Sequence, residues 1–494
     1  MSAYILAHDL GTSGNKASLF SEEGKLIASV TESYPTYYGG SGFAEQDPDE
    51  WWKAVCTATR KVTEFVDKKD IAVVSVTGQM MGTVCLDKEG QLLGNSIIWS
   101  DTRAVKECET LSEELGGKAA YYRITGQPPS ASYTFPKLMW LKEHRRDFYD
   151  RIGTVIQSKD YITYRLTGVA GTDPTDAAYT TAYDIEKDRW SEEIIRAGGI
   201  KSDIFPEVRE SASILGRVTA QAAEECGLLE GTPVAVGAGD GSAAHPGAGC
   251  VEDGDAYICL GSSTWIVAQT DRLIFDDLGR MQSEPHVIKD KYCFLGTMQT
   301  GGLAYDWARK NLSDGALPYD RLDSLIAGSA PGAGGTVFLP YLMGERSPWY
   351  DLGAKGAFLG LTMQTGYGDI YRSVMEGVAM NLNIMLKVIR EHLDVKKIVL
   401  IGGGGKSRIW QQILADVLDA EMLIPENIDS GTSIGGAIVA GIACGIWPDF
   451  NVSKKFLSIG STVHPDRETG EIYKKLQSAF ESGYYALREW NKLI

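Results

Sequence analysis

Two stretches decide the fold: YILAHDLGTSGNKASLF at residues 4–20 and AYICLGSSTWIVA at residues 256–268. Each begins with a short apolar strand, turns at Leu-Gly followed by Ser or Thr, and continues as a second strand. Two hairpins with the same kind of tip, one in each half of the chain, predict a duplicated domain. The alternative is coincidence, since glycine turns between strands are common.

The rest of the chain has an α/β pattern, in which short apolar runs alternate with stretches of helical periodicity. Predicted strands cover residues 4–7, 16–20, 26–30, 72–76, 234–236, 256–259, 264–268 and 397–401, and predicted helices cover residues 49–68, 135–146, 367–392 and 408–419. Small residues at 241–254 mark a domain boundary. It divides the chain into residues 1–248 and 249–494, with a ligand cleft expected between them.

Composition narrows the classes of function. The 494 residues carry a formal net charge of −17, which disfavours binding to nucleic acid or to a membrane surface. The eight cysteines include no C-x-x-C pair, which argues against structural zinc and against a disulfide framework. A cytoplasmic protein is therefore expected.

The first hairpin tip has the chemistry of a phosphate site. Gly11, Thr12 and Ser13 offer backbone N–H groups and hydroxyls to phosphate oxygens, and Asp9 at the end of the strand could hold Mg²⁺ beside them. The second tip has Cys259 in place of that carboxylate. A plain hairpin turn remains the alternative.

Two other glycine-rich segments follow predicted strands. Asp240 lies among glycines and alanines after the strand at 234–236, a position typical of a general base, a metal ligand or a helix N-cap. Residues 402–407 read GGGGKS, but the spacing does not fit a P-loop. Nucleotide binding and tight strand–helix packing both remain open for this segment.

A third group of polar and aromatic residues suits a sugar. Gln79, Met80 and Met81 end one strand, and Trp99, Asp101 and Arg103 follow some twenty residues later. Amide, carboxylate and guanidinium groups recognise hydroxyls, and an aromatic face packs on C–H groups. Surface ion pairing is the alternative, and core packing is favoured for Met80.

Three further motifs carry a family resemblance: SYTFPKLMWLKEH at residues 132–144, PYLMGERSP at 340–348 and GAFLGLTMQTGYGDIYRSVME at 356–376. In these motifs, and in order along nearly the whole chain, the sequence resembles the FGGY family of carbohydrate kinases. The resemblance implies an α/β fold of duplicated ribonuclease-H-like (actin-like ATPase) domains with ATP in the cleft between them. Residues 1–248 would carry the sugar site, the first phosphate loop and the catalytic Asp. Residues 249–494 would carry the second phosphate loop and the adenine site.

The resemblance also implies roles for single residues. Asp240 would be the catalytic base and, with Asp9, would hold Mg²⁺. The residues expected to bind ATP are Gly11, Thr12 and Ser13 in the first loop, Gly261, Ser262 and Ser263 in the second, Gly301 and Gly302 near the phosphates, and Gly402, Gly403, Gly404, Gly405, Ser407 and Gln411 at the adenine. The residues expected to bind the sugar are Gln79, Met80, Met81, Trp99, Asp101, Arg103 and Asp240.

The substrate is less well defined. Within the family the pattern is closest to xylulose kinases, which usually have His where this chain has Met81 and Asn where it has Gly241. D-xylulose, converted to D-xylulose 5-phosphate, is the first expectation. The alternatives are ribulose, erythrulose, glycerol and a sugar acid such as gluconate. An alternative of another class is a non-catalytic actin-like sensor of sugar and ATP. A homodimer is a further expectation.

Overall fold

The computed structural model describes residues 3–40, 42–313, 317–426 and 431–493. Its core consists of two mixed β-sheets, each with seven strands in the described ranges. One sheet is built from strands before residue 240 and the other from strands after residue 255.

The first sheet follows directly from the first hairpin. Its main strands are β1 (Tyr4–Leu10), β2 (Gly14–Ser21), β3 (Leu26–Ser33), β4 (Ile71–Gly78), β5 (Ile214–Arg217) and β6 (Pro233–Ala235). Their order is β5-β6-β4-β1-β2-β3, and the short strand Ala238–Gly239 also pairs with β4. Strands β1, β4 and β6 are parallel, while β2, β3 and β5 are antiparallel to their neighbours.

The second sheet repeats this arrangement. Its strands are β7 (Ala256–Leu260), β8 (Thr264–Thr270), β9 (Gln282–Pro285), β10 (Tyr292–Met298), β11 (Lys397–Ile401), β12 (Glu421–Pro425) and β13 (Ile459–Val463). Their order is β9-β10-β8-β7-β11-β12-β13, with β7, β11 and β12 parallel. The hairpin β7–β8 thus occupies the place that β1–β2 has in the first sheet. The predicted duplication is confirmed, and the matching tips are not a coincidence.

Seven helices matter for the site and the core. They are α1 (Pro48–Val62), α2 (Thr134–His144), α3 (Asp240–Gly247), α4 (Gly302–Asn311), α5 (Tyr367–Arg390), α6 (Arg408–Leu418) and α7 (Gly431–Ala443). The predicted helices at 135–146, 367–392 and 408–419 agree with α2, α5 and α6 to within two residues at each end. The helix predicted for 49–68 is too long, because α1 gives way to single 3₁₀ turns at Thr63–Phe65 and Lys68–Asp70.

The remaining elements are short, apart from one C-terminal helix. The other helices are Val105–Glu114, Lys118–Thr125, Arg146–Arg151, Ser158–Thr167, Pro174–Tyr179, Glu192–Gly198, Ala220–Cys226, Tyr319–Ala327, Ser453–Phe456 and Arg467–Asn491. The minor strands are Tyr37–Gly39, Phe43–Gln46, Ser96–Ile97, Val84–Leu86, Thr154–Ile156, Gly171–Thr172, Glu207–Val208, Tyr183–Asp184, Arg189–Trp190, Val337–Leu339 and Ala357–Leu359.

Helices α3 and α7 cross between the two sheets, and each contributes side chains to the core of the other half's sheet. The first half of the chain contributes α3, but Ala244 packs into the core of the second sheet. The second half contributes α7, yet Ile438 packs against Ile5 and Val73 of the first sheet. The crossing is a backbone contact, because a Cβ on Gly435 would lie 1.7 Å from the Ala243 carbonyl oxygen. The division at residue 248 stays a prediction; it falls between the strands of the two sheets, and these two helices pack across it.

Candidate active site

Three side chains from separate elements fix the tip of the β1–β2 hairpin. The Tyr34 hydroxyl donates to the Gly11 carbonyl. Gln46 Nε2 donates to the Thr12 carbonyl at 2.7 Å, and Trp99 Nε1 donates to Thr12 Oγ1 at 2.9 Å. The predicted phosphate loop is therefore rigidly held. Tyr34 and Gln46 carry no motif, and sequence reasoning missed them.

The second tip is braced by the start of α4. Gly301 N donates to the Ser262 carbonyl at 3.0 Å, and Gly302 N donates to the Gly261 carbonyl at 2.8 Å. Gly302 lies so close that a Cβ on it would be 2.6 Å from the Gly261 oxygen. This brings a helix N-terminus, which favours anions, to the second tip.

The predicted adenine residues lie beside the same tip. Gly402 and Gly404 pack against Leu260, which directly precedes Gly261. Gln411 Nε2 donates to the Gly405 carbonyl at 2.7 Å. The Ser407 side chain caps α6, accepting from Trp410 N at 3.4 Å. Gly403 is exposed, with open space where a side chain would be.

The carboxylates of Asp9 and Asp240 are neighbours. Burial raises the pKa of Asp240 to about 7, and the charge of Asp9 adds to that rise. Burial raises the pKa of Asp9 to about 6, opposed by Lys16 and a hydrogen bond with Thr77. Two acids at the ends of different elements share one partly buried position, an arrangement typical of a functional site.

Two other groups lie around this acidic pair. Burial raises the pKa of the Tyr34 phenol, and the charges of both carboxylates raise it further. Burial also raises the pKa of the Cys259 thiol to about 12, with a contribution from Asp240. Asp9 lies in β1 next to the first tip, and the Tyr257 hydroxyl of β7 donates to the carbonyl of Gly241, the neighbour of Asp240, at 3.5 Å. The pair of acids therefore lies between the two hairpins.

Asp240 occupies the first turn of α3. Residue Gly239 is the N-cap, so Asp240 is the first helical residue rather than the cap. Its Oδ1 accepts from Gly241 N at 2.7 Å. The backbone before it is fixed by Gly239 N, which donates to Thr175 Oγ1 at 3.1 Å. Asp240 is therefore not the N-cap, and within the described residues its Oδ2 accepts no hydrogen bond.

The Gln79–Met81 segment forms an apolar wall with polar ends. Met80 is buried against Tyr133 and Tyr179, and Met81 adjoins this cluster. Gln79 Nε2 donates to Gln46 at 2.7 Å, while its Oε1 is buried and has no hydrogen-bond partner within the described residues. An unpaired buried acceptor is suited to a ligand hydroxyl.

Asp101 and Arg103 bind each other. Arg103 Nη2 donates to Asp101 at 2.7 Å and to Glu45 at 2.8 Å, and the guanidinium lies 3.8 Å from the centroid of the Phe43 ring. Asp101 also accepts from Ala44 N at 2.7 Å. These contacts fix the loop that carries Trp99. Direct contact of Asp101 and Arg103 with a sugar stays a prediction.

Comparison with known proteins identifies the family. Residues 4–247 match the N-terminal domain of the FGGY family of carbohydrate kinases, and residues 256–444 match its C-terminal domain. The chain belongs to this family. It is therefore a sugar kinase, with ATP as the co-substrate that membership in the family implies. The resemblance carried by the sequence motifs is confirmed.

Individual FGGY kinases are similar over the full length. The xylulose kinase of Bacillus subtilis strain 168 is 30% identical over 498 residues, covering 99% of this chain and 98% of that one. The gluconate kinase of Lactobacillus acidophilus is 28% identical with a TM-score of 0.94, covering 99% and 98%. The ligand-bound xylulose kinase of the same organism has the same identity and TM-score, covering 98% of both chains. The predicted actin-like, two-domain fold is confirmed by these structures.

One further property concerns membranes. In the ranges that the structure describes, no helix combines the length and the apolar character needed to cross a bilayer.

Proposed function

We propose that this FGGY kinase transfers the γ-phosphoryl group of ATP to a primary hydroxyl of D-xylulose, forming D-xylulose 5-phosphate. The observation that carries the proposal is the position of Asp9 and Asp240 between two braced hairpins. Phosphoryl transfer requires mainly that the attacking hydroxyl oxygen and the leaving oxygen of ATP are aligned and that the negative charge on the transferring group is neutralised. Such a site supplies both.

Asp240 is the proposed catalytic base. Its carboxylate accepts the proton of the sugar hydroxyl as that oxygen attacks the γ-phosphorus, and the bond from the γ-phosphorus to the β,γ-bridging oxygen breaks. A pKa raised to about 7 suits this role, because a base is most effective when its pKa lies near the working pH. Asp240 is the first residue of α3 and uses Oδ1 for Gly241 N, so we assign its Oδ2 to the hydroxyl.

The donors of the two tips hold the nucleotide. Backbone N–H groups of Thr12, Ser13 and Gly261–Ser263 bind phosphate oxygens as negative charge spreads over them. The first N–H groups of α4 donate to the Gly261 and Ser262 carbonyls, so this helix contributes through its dipole. Gly402–Gly405 and Ser407 would line the adenine, since they lie next to the second tip. Closure of the cleft would exclude water from the transferring group.

The residues present fit a magnesium ion. Mg²⁺ usually binds one or two carboxylates and completes its shell with phosphate oxygens and water. Asp9 and Asp240 offer two carboxylates whose mutual repulsion a cation would relieve. Bound there, Mg²⁺ would neutralise phosphate charge during transfer.

The proposed sugar site is the wall of Met80 and Met81, with Gln79 Oε1 and with Trp99, whose neighbour Ile98 shares the Lys137 side chain with Met81. D-xylulose is the first candidate because of the similarity to xylulose kinases over the full length. Met81 and Gly241 replace two side chains that xylulose kinases usually have. A site that lacks an expected hydrogen-bonding group loses selectivity. These two positions are the proposed specificity determinants.

A sugar acid is the second candidate. Arg346 Nε is buried without a hydrogen-bond partner among the described residues. Burial raises the pKa of the Tyr133 phenol, and the nearby Arg346 guanidinium partly opposes that rise. Tyr133 packs against Met80, so this cation lies near the proposed sugar wall. A guanidinium binds a carboxylate well, and a gluconate kinase is among the similar structures.

The test is an ADP-release assay with Mg-ATP against C3 to C7 ketoses, polyols and aldonic acids. We expect D-xylulose to give the highest kcat/KM. A higher value for gluconate would replace it by the second candidate. Met81→His and Gly241→Asn should raise kcat/KM for D-xylulose relative to the other compounds if these positions set specificity.

The comparisons give no support to a non-catalytic sensor. That alternative would require that no sugar stimulates the release of ADP. As a sugar kinase, the protein has a small-molecule sugar as its partner. A homodimer and a cytoplasmic location remain proposals.

A further inference from the structure

Lys137 occupies an unusual position for a charged side chain. It lies in the first half of α2 and is 0% exposed. Its Nζ donates to three main-chain carbonyls: Met81 at 2.9 Å, Ile98 at 2.8 Å and Ser132 at 2.6 Å. Within the described parts of the chain this ammonium forms no ion pair, so its three N–H donors are used entirely on backbone.

The three carbonyls belong to three different loops. Met81 is in the proposed sugar wall, and Ile98 directly precedes Trp99 of that wall. Ser132 is in the loop that leads into α2. A single side chain thus joins two parts of the wall that are seventeen residues apart in the sequence.

A second residue of the same motif reinforces this arrangement. Thr134 Oγ1 donates to the Gly82 carbonyl at 2.7 Å, so α2 holds two successive carbonyls of the turn. Met81 has a φ of +65°, in the left-handed region that non-glycine residues rarely adopt. Such a conformation persists only where neighbouring groups fix it. Lys137 and Thr134 supply that restraint.

Packing alone does not explain a lysine here. A buried ammonium without a counter-ion is unfavourable, and an apolar side chain would fill the same space at lower cost. The lysine differs from an apolar residue in setting where three carbonyl oxygens lie. We propose that Lys137 is a positioning residue for sugar binding, which fixes the Met81 and Trp99 segments through their backbone. This rests on the proposed function, because it requires that wall to bind the sugar.

The test compares Lys137→Met with Lys142→Met in the same helix. Lys142 also donates to a carbonyl, that of Gly199 at 2.6 Å, but on the side of α2 away from the wall. We expect Lys137→Met to raise KM for D-xylulose, or for gluconate if that is the better substrate, by roughly tenfold to a hundredfold. KM for ATP should stay within about twofold in both variants, and Lys142→Met should leave the sugar KM unchanged.

Two results would overturn the proposal. One is an unchanged sugar KM in Lys137→Met, and the other is a parallel rise in the KM values of sugar and ATP. A wild-type chain inactive on every sugar would instead contradict the proposed function. Lys137→Gln keeps two of the three donors and should show a smaller rise in sugar KM than Lys137→Met.

A second measurement, on a chain that keeps Lys137, tests the proposal even if the Lys137 variants misfold. Burial lowers the pKa of Lys137 to about 7; the charged groups that face it are Asp101, which opposes this shift, and Arg103, which adds to it. Loss of a proton leaves two donors for three carbonyls. The Kd for the sugar, measured by tryptophan fluorescence, should therefore rise between about pH 7 and pH 9. Asp240→Asn provides the background, since it removes titration of the base. A constant Kd in that range would contradict the proposal.

Discussion

At the scale of single residues, Asp240 makes the sharpest prediction. Asp240→Asn keeps the size of the side chain but removes its ability to accept a proton. We expect kcat to fall by about 10²–10⁴, because general-base assistance has that magnitude. ATP binding should persist, since the two tips bind the phosphates through other groups and Asp9 keeps a carboxylate for Mg²⁺. Steady-state kinetics and titration of the variant with ATP check both points.

The matched control is Asp255→Asn. Asp255 accepts from Val251 N and Glu252 N, at 3.1 and 2.8 Å, in a loop outside the cleft. This variant should keep kcat within about twofold. Near-normal turnover in Asp240→Asn would remove Asp240 from the role of base.

The same carboxylate predicts a pH dependence. Since the pKa of Asp240 is raised to about 7, its basic form is lost as the pH falls through that value. We expect kcat/KM for ATP, at saturating sugar, to fall about tenfold per pH unit on the acidic side and to level off above it. Asp9, with a pKa raised to about 6, titrates as part of the same pair. A rate constant that does not vary between about pH 5.5 and pH 8 would contradict this account.

From the sequence, the acidic residues of the site were easier to predict than the side chains that hold the first hairpin tip. Asp9 and Asp240 were predicted because a carboxylate at a strand end is a recognisable pattern. Tyr34 and Gln46 were missed, because their function is to bind the Gly11 and Thr12 carbonyls and any donor of the right reach would fit the pattern. Arg103 shows the converse: Asp101 is only two residues away, but Glu45 lies in the strand Phe43–Gln46, and only the fold creates that second contact.

At the scale of elements, the second tip depends on its fit to α4. A Cβ at residue 302 would lie 2.6 Å from the Gly261 oxygen, so Gly302→Ala should push the helix N-terminus away from the tip. Overpacking of this kind is worth about 1–3 kcal/mol, and we expect KM for ATP to rise about tenfold. The sugar KM should change less. Kinetics with each substrate varied in turn provides the measurement.

Gly403→Ala is the control within the same candidate nucleotide site. Residue 403 has no heavy atom within 4 Å of an added Cβ. We expect little change in folding or in the second tip, so any effect on ATP would come from contact with the nucleotide itself. An unchanged ATP KM in Gly302→Ala would show that the second tip does not need α4.

Element boundaries were predictable where a local signal exists. The strand Lys397–Ile401 and the helix starting at Arg408 agree with the prediction, because the apolar run and the Ser407 cap mark them. The end of α1 was not predictable from periodicity, since the chain continues beyond Val62 as two 3₁₀ turns that include residues 63–65 and 68–70.

At the scale of the whole molecule, the exchange of α3 and α7 joins the two halves. The duplicated sheets were predictable from the matching tips, but the exchange was not, because no local pattern shows which sheet a helix covers. Helix α7 covers the face of the first sheet that includes Ile5 and Ala7. Each sheet therefore lacks part of its core when the other half of the chain unfolds.

Because of this exchange, we predict a single cooperative unfolding transition, in which a mutation at the crossing lowers the stability of both halves together. Ile438 of α7 is 0% exposed against the first sheet, and Ile438→Ala should cost about 2–5 kcal/mol of the free energy of unfolding. Ile442→Ala, one turn later and half-buried, is the matched control and should cost less. Denaturant unfolding followed by tryptophan fluorescence and by circular dichroism should give coincident curves, displaced together by Ile438→Ala. Two separate transitions, with only one displaced, would mean that the halves fold independently. Coincident curves, displaced together, would mean that the two halves unfold as one cooperative unit.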